Sequence, residues 1–300
     1  MCGIVGLFLK DQALRPNLGA MVSPMLIGMG DRGRDSAGLA VYRDPAPPGS
    51  IKMTLRRVDG DEDWENLKVE LAAGLGISVS GTEFDDHLLL RAATDAETVR
   101  DWLKNNRPEV RVVGAGQKIE IFKKAGRPED IVARYGLDGL DGSHAVGHTR
   151  MATESAVTTQ HSHPFSTGLD LCLVHNGSLS NHHRLRDWLR DKQGVRFQTD
   201  NDSEVAAGYI TYRMRQGATL EEALEAALVD LDGFYTFAVG TADGFAVLRD
   251  PVACKPAVMA ETDGWVAMAS EFRSIAHLPG ANDAHIWEPV PATVYTWGHA

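Results

Sequence analysis

The sequence has few cysteines, no excess of basic residues and no long apolar run. Three of its 300 residues are cysteine, at positions 2, 172 and 254, which argues against a disulfide framework and favours a reducing compartment. The formal net charge of −11 disfavours nucleic-acid binding, which needs a basic footprint. No stretch approaches the roughly 20 apolar residues of a membrane span, and no signal-peptide pattern opens the chain. We therefore expect a cytoplasmic protein that binds neither nucleic acid nor membrane.

Internal repeats and low-complexity tracts are also missing, and the histidines make no case for a metal. His161 and His163 form one close pair, and His182 and His183 form another, but neither pair has a third well-spaced ligand. The hydrophobic content of 43% is enough for a full core, in one large domain or two small ones.

A cysteine stands directly behind the initiator methionine. Removal of Met1 leaves Cys2 with a thiol and a free α-amine, whose unperturbed pKa of roughly 7.7–8.0 lets it accept the thiol proton near neutral pH. The resulting thiolate is the attacking species. The apolar run 3–8 predicts a buried strand that would hold Cys2 at a sheet end. On these residues alone, a chance cysteine before a core strand is an equal alternative.

Four further polar clusters are predicted at strand ends or at a helix start. They occupy residues 32–38, 147–153, 173–179 and 199–205. Arg150 offers a planar guanidinium suited to a carboxylate, and Asn176 with Gly177 offers two N–H donors for an oxyanion. A carboxylate in the last cluster could recognise an ammonium group. Each cluster also has a structural interpretation: a polar loop, a surface arginine, a hairpin turn at Asn-Gly, and an N-cap at Asp200 or Asp202.

The pattern along the chain predicts an α+β architecture. Residues 58–113 alternate helical and strand-like segments and look like an inserted α+β subdomain, in which a helix over 95–105 has Thr94 as a candidate N-cap. Beyond residue 146 the chain reads mostly as strands, with helices predicted at 182–192, 202–216 and 220–231. Many strands flanking a few helices indicate stacked layers.

Taken together, the clusters resemble one family. In chain order they read Cys-Gly-Ile-Val-Gly from position 2, Arg-Gly-x-Asp-Ser-Ala-Gly from 32, Gly-His-Thr-Arg-x-Ala-Thr from 147, His-Pro-Phe from 163, His-Asn-Gly from 175 and Asp-Ser-Glu-Val from 202. Each motif alone is weak, but six in order are similar to the class II (N-terminal nucleophile) glutamine amidotransferases. The resemblance implies a four-layer αββα N-terminal-nucleophile hydrolase sandwich over residues 1–300, with the small α+β subdomain inserted at 58–113.

The resemblance also implies roles for single residues. Cys2 would be the nucleophile and, through its own amine, the base. Arg32 would orient the Cys2 region, while Asn176 and Gly177 would form the oxyanion hole. The implied reaction is hydrolysis of L-glutamine to L-glutamate and ammonia through a γ-glutamyl thioester on Cys2.

Four more residues would bind the substrate. Arg150 would hold the α-carboxylate of L-glutamine and Asp202 its α-ammonium, with Thr153 and His163 lining the pocket. The sequence departs from the sugar-aminating members, which have an aromatic residue after the arginine and His-Gly after the threonine. Here Met151 and 154–155 stand instead, which argues against a sugar-phosphate acceptor.

The segment 150–157 and the run from Arg249 to Ala257 look most like the free-standing amidotransferase subunit of split glutamate-synthase-like complexes. N-methylglutamate synthase (methylamine–glutamate N-methyltransferase) is the nearest type. This resemblance implies a synthase-type FMN-binding partner subunit and a Gly-repeat β-helix partner subunit. FMN, with an iron–sulfur cluster as a further expectation, would lie on a partner, and this chain itself would hold no cofactor.

Two alternatives stay open at this stage. One is a catalytically idle regulatory or binding subunit that keeps the pocket and acts on its partner. The other is a stand-alone amide hydrolase of the same fold. The pairing of Arg150 with Asp202 argues for an amino-acid zwitterion and against a bulky apolar amide.

Overall fold

The computed structural model describes residues 2–58, 63–152 and 157–298, which form three antiparallel sheets. The strands are β1 (Gly3–Leu9), β2 (Ser36–Tyr42), β3 (Ile51–Arg57), β4 (Val79–Phe84), β5 (His87–Ala92), β6 (Val110–Gly116), β7 (Ile119–Ala125), β8 (His144–Arg150), β9 (Cys172–Leu179), β10 (Gly233–Thr241), β11 (Gly244–Arg249), β12 (Val258–Glu261), β13 (Trp265–Ala269), β14 (His285–Trp287) and β15 (Val294–Gly298). The sheets run β14-β12-β13-β1-β8-β2-β7, β15-β11-β10-β9 and β4-β5-β3-β6.

The helices flank these sheets. They are α1 (Leu18–Gly28), α2 (Trp64–Leu75), α3 (Ala96–Asn106), α4 (Pro128–Tyr135), α5 (His182–Gln193), α6 (Asp202–Arg215) and α7 (Leu220–Asp230). None of the helices in the described residues is long and apolar enough to cross a membrane.

The seven-stranded sheet packs face to face on the β15-β11-β10-β9 sheet. Ile4 and Tyr42 from the first sheet meet Val174 and Phe245 from the second in one apolar cluster. Helices α1 and α4 cover the outer face of the first sheet, and α5, α6 and α7 cover the outer face of the second. These are the four layers of an αββα sandwich. The predicted α+β sandwich is therefore confirmed.

Strand β1 lies in the middle of the seven-stranded sheet, between β13 and β8. All seven of its residues are buried, as the apolar run in the sequence predicts. At the start of β1 the chain passes close to the end of α1, because Gly3 has no side chain: a Cβ there would lie 2.7 Å from the Cβ of Met29. The position of Cys2, which directly precedes β1, is thus fixed by the central strand.

The third sheet, with α2 and α3, has an apolar core of its own. The first of its strands along the chain, β3, begins at residue 51, and the last, β6, ends at residue 116, so the sheet reaches beyond the predicted segment 58–113 on both sides. Asp170 joins this unit to the sandwich by accepting hydrogen bonds from the backbone N–H groups of Gln117, Lys118 and Ile119 at 2.7, 2.7 and 3.0 Å. The division of the chain into a domain and an inserted subdomain stays a prediction.

Local details differ from the sequence-based expectations in two places. The N-cap of α3 is Asp95, which accepts from the Thr98 N–H at 2.9 Å, and not Thr94. Helix α4 was not predicted at all. It is only eight residues long, with Pro128 at its first position and Gly136 in the left-handed region at its end, so it shows barely two turns of periodicity.

Several histidines are buried in this fold. His87, His148, His163 and His175 expose 5% of their surface or less. Burial lowers the pKa of His148 to about 3 and places the pKa of His163 well below its ordinary value. It also lowers the pKa values of His87 and His175. Lys123 and Arg150 add positive charge near His163, which further disfavours its protonated form.

We expect the free energy of unfolding to fall as the pH is lowered from 7.5 to 5.5. In the unfolded chain these four histidines take up protons near pH 6.5, whereas in the folded chain burial lowers their pKa values and shifts protonation to lower pH. Each can therefore reduce stability by up to about 1.4 kcal/mol per pH unit below the unfolded pKa. Urea unfolding at three pH values measures the slope.

His148→Gln should reduce this slope, because one neutral buried imidazole is removed. His277→Gln is the matched control, since His277 is exposed, and it should leave the slope unchanged. An equal free energy of unfolding at pH 7.5 and 5.5 would contradict the assignment of neutral imidazoles.

Candidate active site

A pocket of about 390 Å³ lies where the start of β1 meets the ends of β8 and β9 and the start of α6. Its lining residues are Cys2, Arg150, Met151, His163, His175, Gly177, Ser178, His182, Asp200, Asn201, Asp202 and Ser203. Five of the eight predicted site residues are among them. A wider surface concavity of about 740 Å³ near Lys10 and Asp263 contains none of the predicted site residues, so we place the chemistry in the smaller pocket.

The backbone carbonyl of Cys2 is held by two side chains. Arg32 donates from Nε at 2.9 Å, and Asn176 donates from Nδ2 at 3.1 Å. Arg32 is itself buried and pairs through Nη1 with Glu271 Oε1 at 2.7 Å, and this hydrogen bond is the main reason that the pKa of Glu271 is lowered. The Cys2 thiol is left facing the pocket, with Sγ 3.9 Å from the Met151 carbonyl oxygen.

Asn176 and Gly177 lie on β9, opposite Thr236 and Tyr235 of β10. One N–H of the Asn176 carboxamide donates to the Cys2 carbonyl, and the carboxamide carries a second N–H. Asn176 itself is buried and is not among the residues that line the pocket. Gly177 has a φ of 152°, and a Cβ there would lie 2.0 Å from the Phe234 carbonyl oxygen. Only glycine therefore fits at this position of the pocket wall. The oxyanion-hole role of both residues stays a prediction.

Arg150 and Asp202 place opposite charges on the same pocket. Arg150 is the last residue of β8 and is 5% exposed. Asp202 is the first residue of α6, but the N-cap is Asn201, whose side chain accepts from the Ser203 N–H at 2.8 Å. The N-cap alternative for Asp202 is thus wrong. Its carboxylate instead accepts from the Leu179 N–H at 2.9 Å and faces the pocket.

Two residues outside the predicted set fix the loop that leads into α6. Glu204 accepts from the backbone N–H groups of Gln198 and Thr199, both at 2.7 Å. Arg186 donates from Nη2 to the Asn201 carbonyl at 2.9 Å. The loop before Asp202 is therefore held from both sides. Glu204 belongs to the Asp-Ser-Glu-Val motif, whereas no sequence signal points to Arg186.

His163 lies on the pocket floor. Its ring stacks on His148, with centroids 4.0 Å apart, and meets Phe165 edge-on at 4.9 Å. Thr153, the remaining predicted pocket residue, lies outside the described residues. Sequence analysis gave no role to seven lining residues: Met151, His175, Ser178, His182, Asp200, Asn201 and Ser203. All seven lie next to or near predicted site residues along the chain. Their position within or beside the motifs is the sequence feature that could have identified them.

The reachable thiol of Cys2 makes this pocket suited to nucleophilic chemistry. Within residues 2–58, 63–152 and 157–298, no group of three or more His, Cys, Asp or Glu side chains could hold a metal ion. Cys172 is buried, and burial raises the pKa of its thiol to about 12. Cys254 is exposed but does not line the pocket. Cys2 is thus the thiol that a pocket ligand can reach.

Known proteins are similar to this chain in sequence and in fold. Residues 148–277 match a family model described as a glutamine amidotransferase domain. The chain is 55% identical over 300 residues to the glutamine amidotransferase-like protein GlxB of Rhizobium meliloti (strain 1021), covering 100% of this chain and 99% of that protein. It is 32% identical over 306 residues to a putative glutamine amidotransferase of Methanothermobacter thermautotrophicus, covering 98% and 99%.

A solved structure gives the same fold. The glutamine phosphoribosylpyrophosphate amidotransferase from B. subtilis superposes with a TM-score of 0.62 at 19% identity, covering 99% of this chain and 47% of that chain. At this identity the likeness speaks for the fold alone. The two full-length relatives show the family, and the family model and the fold agree with them: the chain belongs to the glutamine amidotransferases, with the αββα sandwich of the N-terminal-nucleophile type.

Proposed function

We propose that this protein hydrolyses L-glutamine to L-glutamate and ammonia through a γ-glutamyl thioester on Cys2, and that the ammonia serves a partner enzyme. The observation that carries the proposal is the placement of Cys2. Its carbonyl is fixed by Arg32 and Asn176, and its thiol faces a pocket that is lined by the buried cation Arg150 and by the carboxylate of Asp202. A nucleophile held beside a zwitterion site is suited to an amino-acid amide.

The proposed reaction begins when the α-amine of processed Cys2 takes the thiol proton. The thiolate attacks the carboxamide carbon, and the oxyanion that forms accepts hydrogen bonds from N–H groups of Asn176 and Gly177. Collapse breaks the C–N bond, and the nitrogen leaves as ammonia with the proton from the α-ammonium. Water then adds to the thioester, the same amine accepts its proton, and glutamate departs with the thiol restored. Holding the reacting groups together is a main source of rate.

Substrate recognition in this proposal uses the two charges of the free amino acid. The Arg150 guanidinium binds the α-carboxylate, and Asp202 binds the α-ammonium. Because Arg150 ends β8 and Asp202 begins α6, their positions are set by regular elements and not by loops alone. His163, and Thr153 as the resemblance implies, complete the pocket wall.

Cys2→Ala should abolish glutamine hydrolysis, because no other described thiol reaches the pocket. A diazoketone that mimics glutamine should label Cys2 and spare Cys172 and Cys254, as peptide mass mapping would show. Thermal unfolding of the variant checks that the fold survives. Labelling mainly at Cys254, or full activity in protein whose intact mass retains Met1, would overturn the mechanism.

Asp202→Asn should lower kcat/KM for glutamine, because the carboxamide keeps the size of the side chain but loses the charge that pairs with the α-ammonium. Arg150→Ala should do the same for the α-carboxylate. Losing one partner of a desolvated charge pair costs about 2–5 kcal/mol, or about 30-fold to several thousand-fold in kcat/KM.

Asp200→Asn is the matched control for these variants. Asp200 lies on the same pocket rim, but its side chain is 87% exposed and pairs with His161. Its substitution should change kcat/KM by less than about threefold, since exposed ion pairs contribute little. Near-wild-type values for both Asp202→Asn and Arg150→Ala would place substrate recognition elsewhere.

The partner in this proposal is a synthase-type FMN-binding subunit, together with a Gly-repeat β-helix subunit, as in N-methylglutamate synthase. The sequence resemblance supports this assignment. One segment of that resemblance, the run from Arg249 to Ala257, also has a structural role. Arg249 donates to the Pro289 and Ala253 carbonyls, and Asp250 accepts from the Tyr235 N–H. The third sheet is the proposed docking element. Its helix α2 exposes Val69 to 59%.

Glutamine turnover by the isolated chain should be low and should rise when the synthase-type partner and its acceptor are added. Val69→Asp should weaken binding to the immobilised partner in a pull-down assay. Val229→Asp on α7 is the matched control, because Val229 is also helical and 84% exposed. Full-speed turnover without a partner would favour the stand-alone hydrolase, and no turnover in the complete complex would favour the idle regulatory subunit. Normal binding by Val69→Asp would remove α2 from the interface.

A further inference from the structure

His182 lines the active pocket and uses one of its two ring nitrogens within the protein. It is the first residue of α5, and its side chain is partly exposed. Its Nδ1 lies 2.6 Å from the Leu179 carbonyl oxygen. A carbonyl oxygen can only accept a hydrogen bond, so Nδ1 carries the N–H, and a neutral imidazole has no second N–H. The other ring nitrogen, Nε2, therefore carries a lone pair.

The lone pair of His182 is open to a ligand. Nε2 makes no hydrogen bond to any described residue, and, unlike Nε2 of His175, it is not one of the buried nitrogens that lack a partner. His183 packs against the His182 ring, with centroids 4.0 Å apart. Together with the bond from Nδ1, this packing holds the ring in place and leaves Nε2 uncovered at the opposite edge of the ring. The acceptor is thus both fixed and accessible.

His182 lies beside the carboxylate of Asp202, because both side chains bind the backbone of one residue. Leu179 is on β9, at the edge of its sheet. Its N–H donates to Asp202 Oδ2 at 2.9 Å, and its carbonyl accepts from His182 Nδ1. Asp200 lines the same pocket. A lone pair next to carboxylates favours a ligand group that donates N–H bonds and carries a positive charge.

We propose that His182 Nε2 accepts one N–H of the α-ammonium of L-glutamine while Asp202 accepts another. The inference rests on the proposed glutaminase function and adds a residue to its substrate site. An ammonium group has three N–H donors, so it can serve both acceptors at once. A ligand that lacks the amine can use neither of them. His182 thereby helps to select a free amino acid over other small amides, and it transfers no proton.

The test compares two reagents that label Cys2: the diazoketone analogue of L-glutamine, and the same diazoketone without its α-amino group. His182→Asn keeps an N–H near the position of Nδ1, so it can still donate to the Leu179 carbonyl, but it has no acceptor at the position of Nε2. We expect the labelling rate constant for the amino diazoketone to fall about 10- to 100-fold, since hydrogen bonds to charged groups are strong. Labelling by the des-amino reagent should change less than threefold. Intact-mass measurement follows both reactions on the processed full-length chain.

His182→Gln is the complementary variant. Its carboxamide oxygen reaches the position of Nε2 and can accept, but the donor to the Leu179 carbonyl is lost, so its loss with the amino diazoketone should be smaller than that of His182→Asn. A residue that served only to bind Leu179 would give the reverse order. His183→Asn is the matched control, because His183 is exposed and does not line the pocket, and it should leave both rates unchanged. Circular dichroism and thermal unfolding establish that each variant is folded.

Equal losses with the two reagents in folded His182→Asn would overturn the inference, and so would wild-type labelling rates with both. Better labelling of His182→Asn than of His182→Gln would assign His182 to the Leu179 backbone alone. A wild-type complex in which Cys2 is labelled but glutamine is not hydrolysed would instead overturn the proposed function itself, so the two failures are distinguishable.

Discussion

The site depends on one carbonyl group. The Cys2 carbonyl oxygen receives Arg32 Nε and Asn176 Nδ2, and these donors come from the segment after α1 and from β9. Arg32 is anchored in turn by Glu271, 239 residues away in the chain. Next to Glu271, Ser270 exchanges two hydrogen bonds with Ile4 at the start of β1. A residue near the chain terminus, which would otherwise fray, is thus tied to both central sheets.

This constraint explains why the remaining site residues stand where they do. Once β1 is central and Cys2 is tied to β9, the ends of β8 and β9 meet at the thiol, and Arg150 and Gly177 follow from strand position. Asp202 reaches the pocket from a third element, since it is the first residue of α6. Its loop is fixed by Arg186 and Glu204, so the carboxylate is oriented before any substrate arrives. Such preorganisation is what an electrostatic site requires.

Much of this could be read from the sequence, because the motifs lie at element ends, where polar residues interrupt apolar periodicity. Cys2, Arg150 and Asp202 are predicted as site residues in this way, and all three line one pocket. The Arg32–Glu271 pair could not be derived from local pattern, since nothing local links residues so far apart. The N-cap of α6 is Asn201 and neither Asp200 nor Asp202, the two alternatives that the sequence offered, because Asn and Asp are equally good caps by type. The third sheet begins at residue 51 and not at 58. This boundary could not be predicted, because the local sequence pattern of a strand does not determine which sheet the strand joins.

The pocket carries features that oppose folding, and they lie together. Gly177 has a backbone conformation that side chains rarely adopt, and four imidazole nitrogens of His148, His163 and His175 have no partner in the described chain. Such features persist only where the surrounding structure over-determines them, and they cluster at functional sites. Here the core between the two sheets, and the hydrogen bonds made to Cys2 and Asp202, hold these features in place.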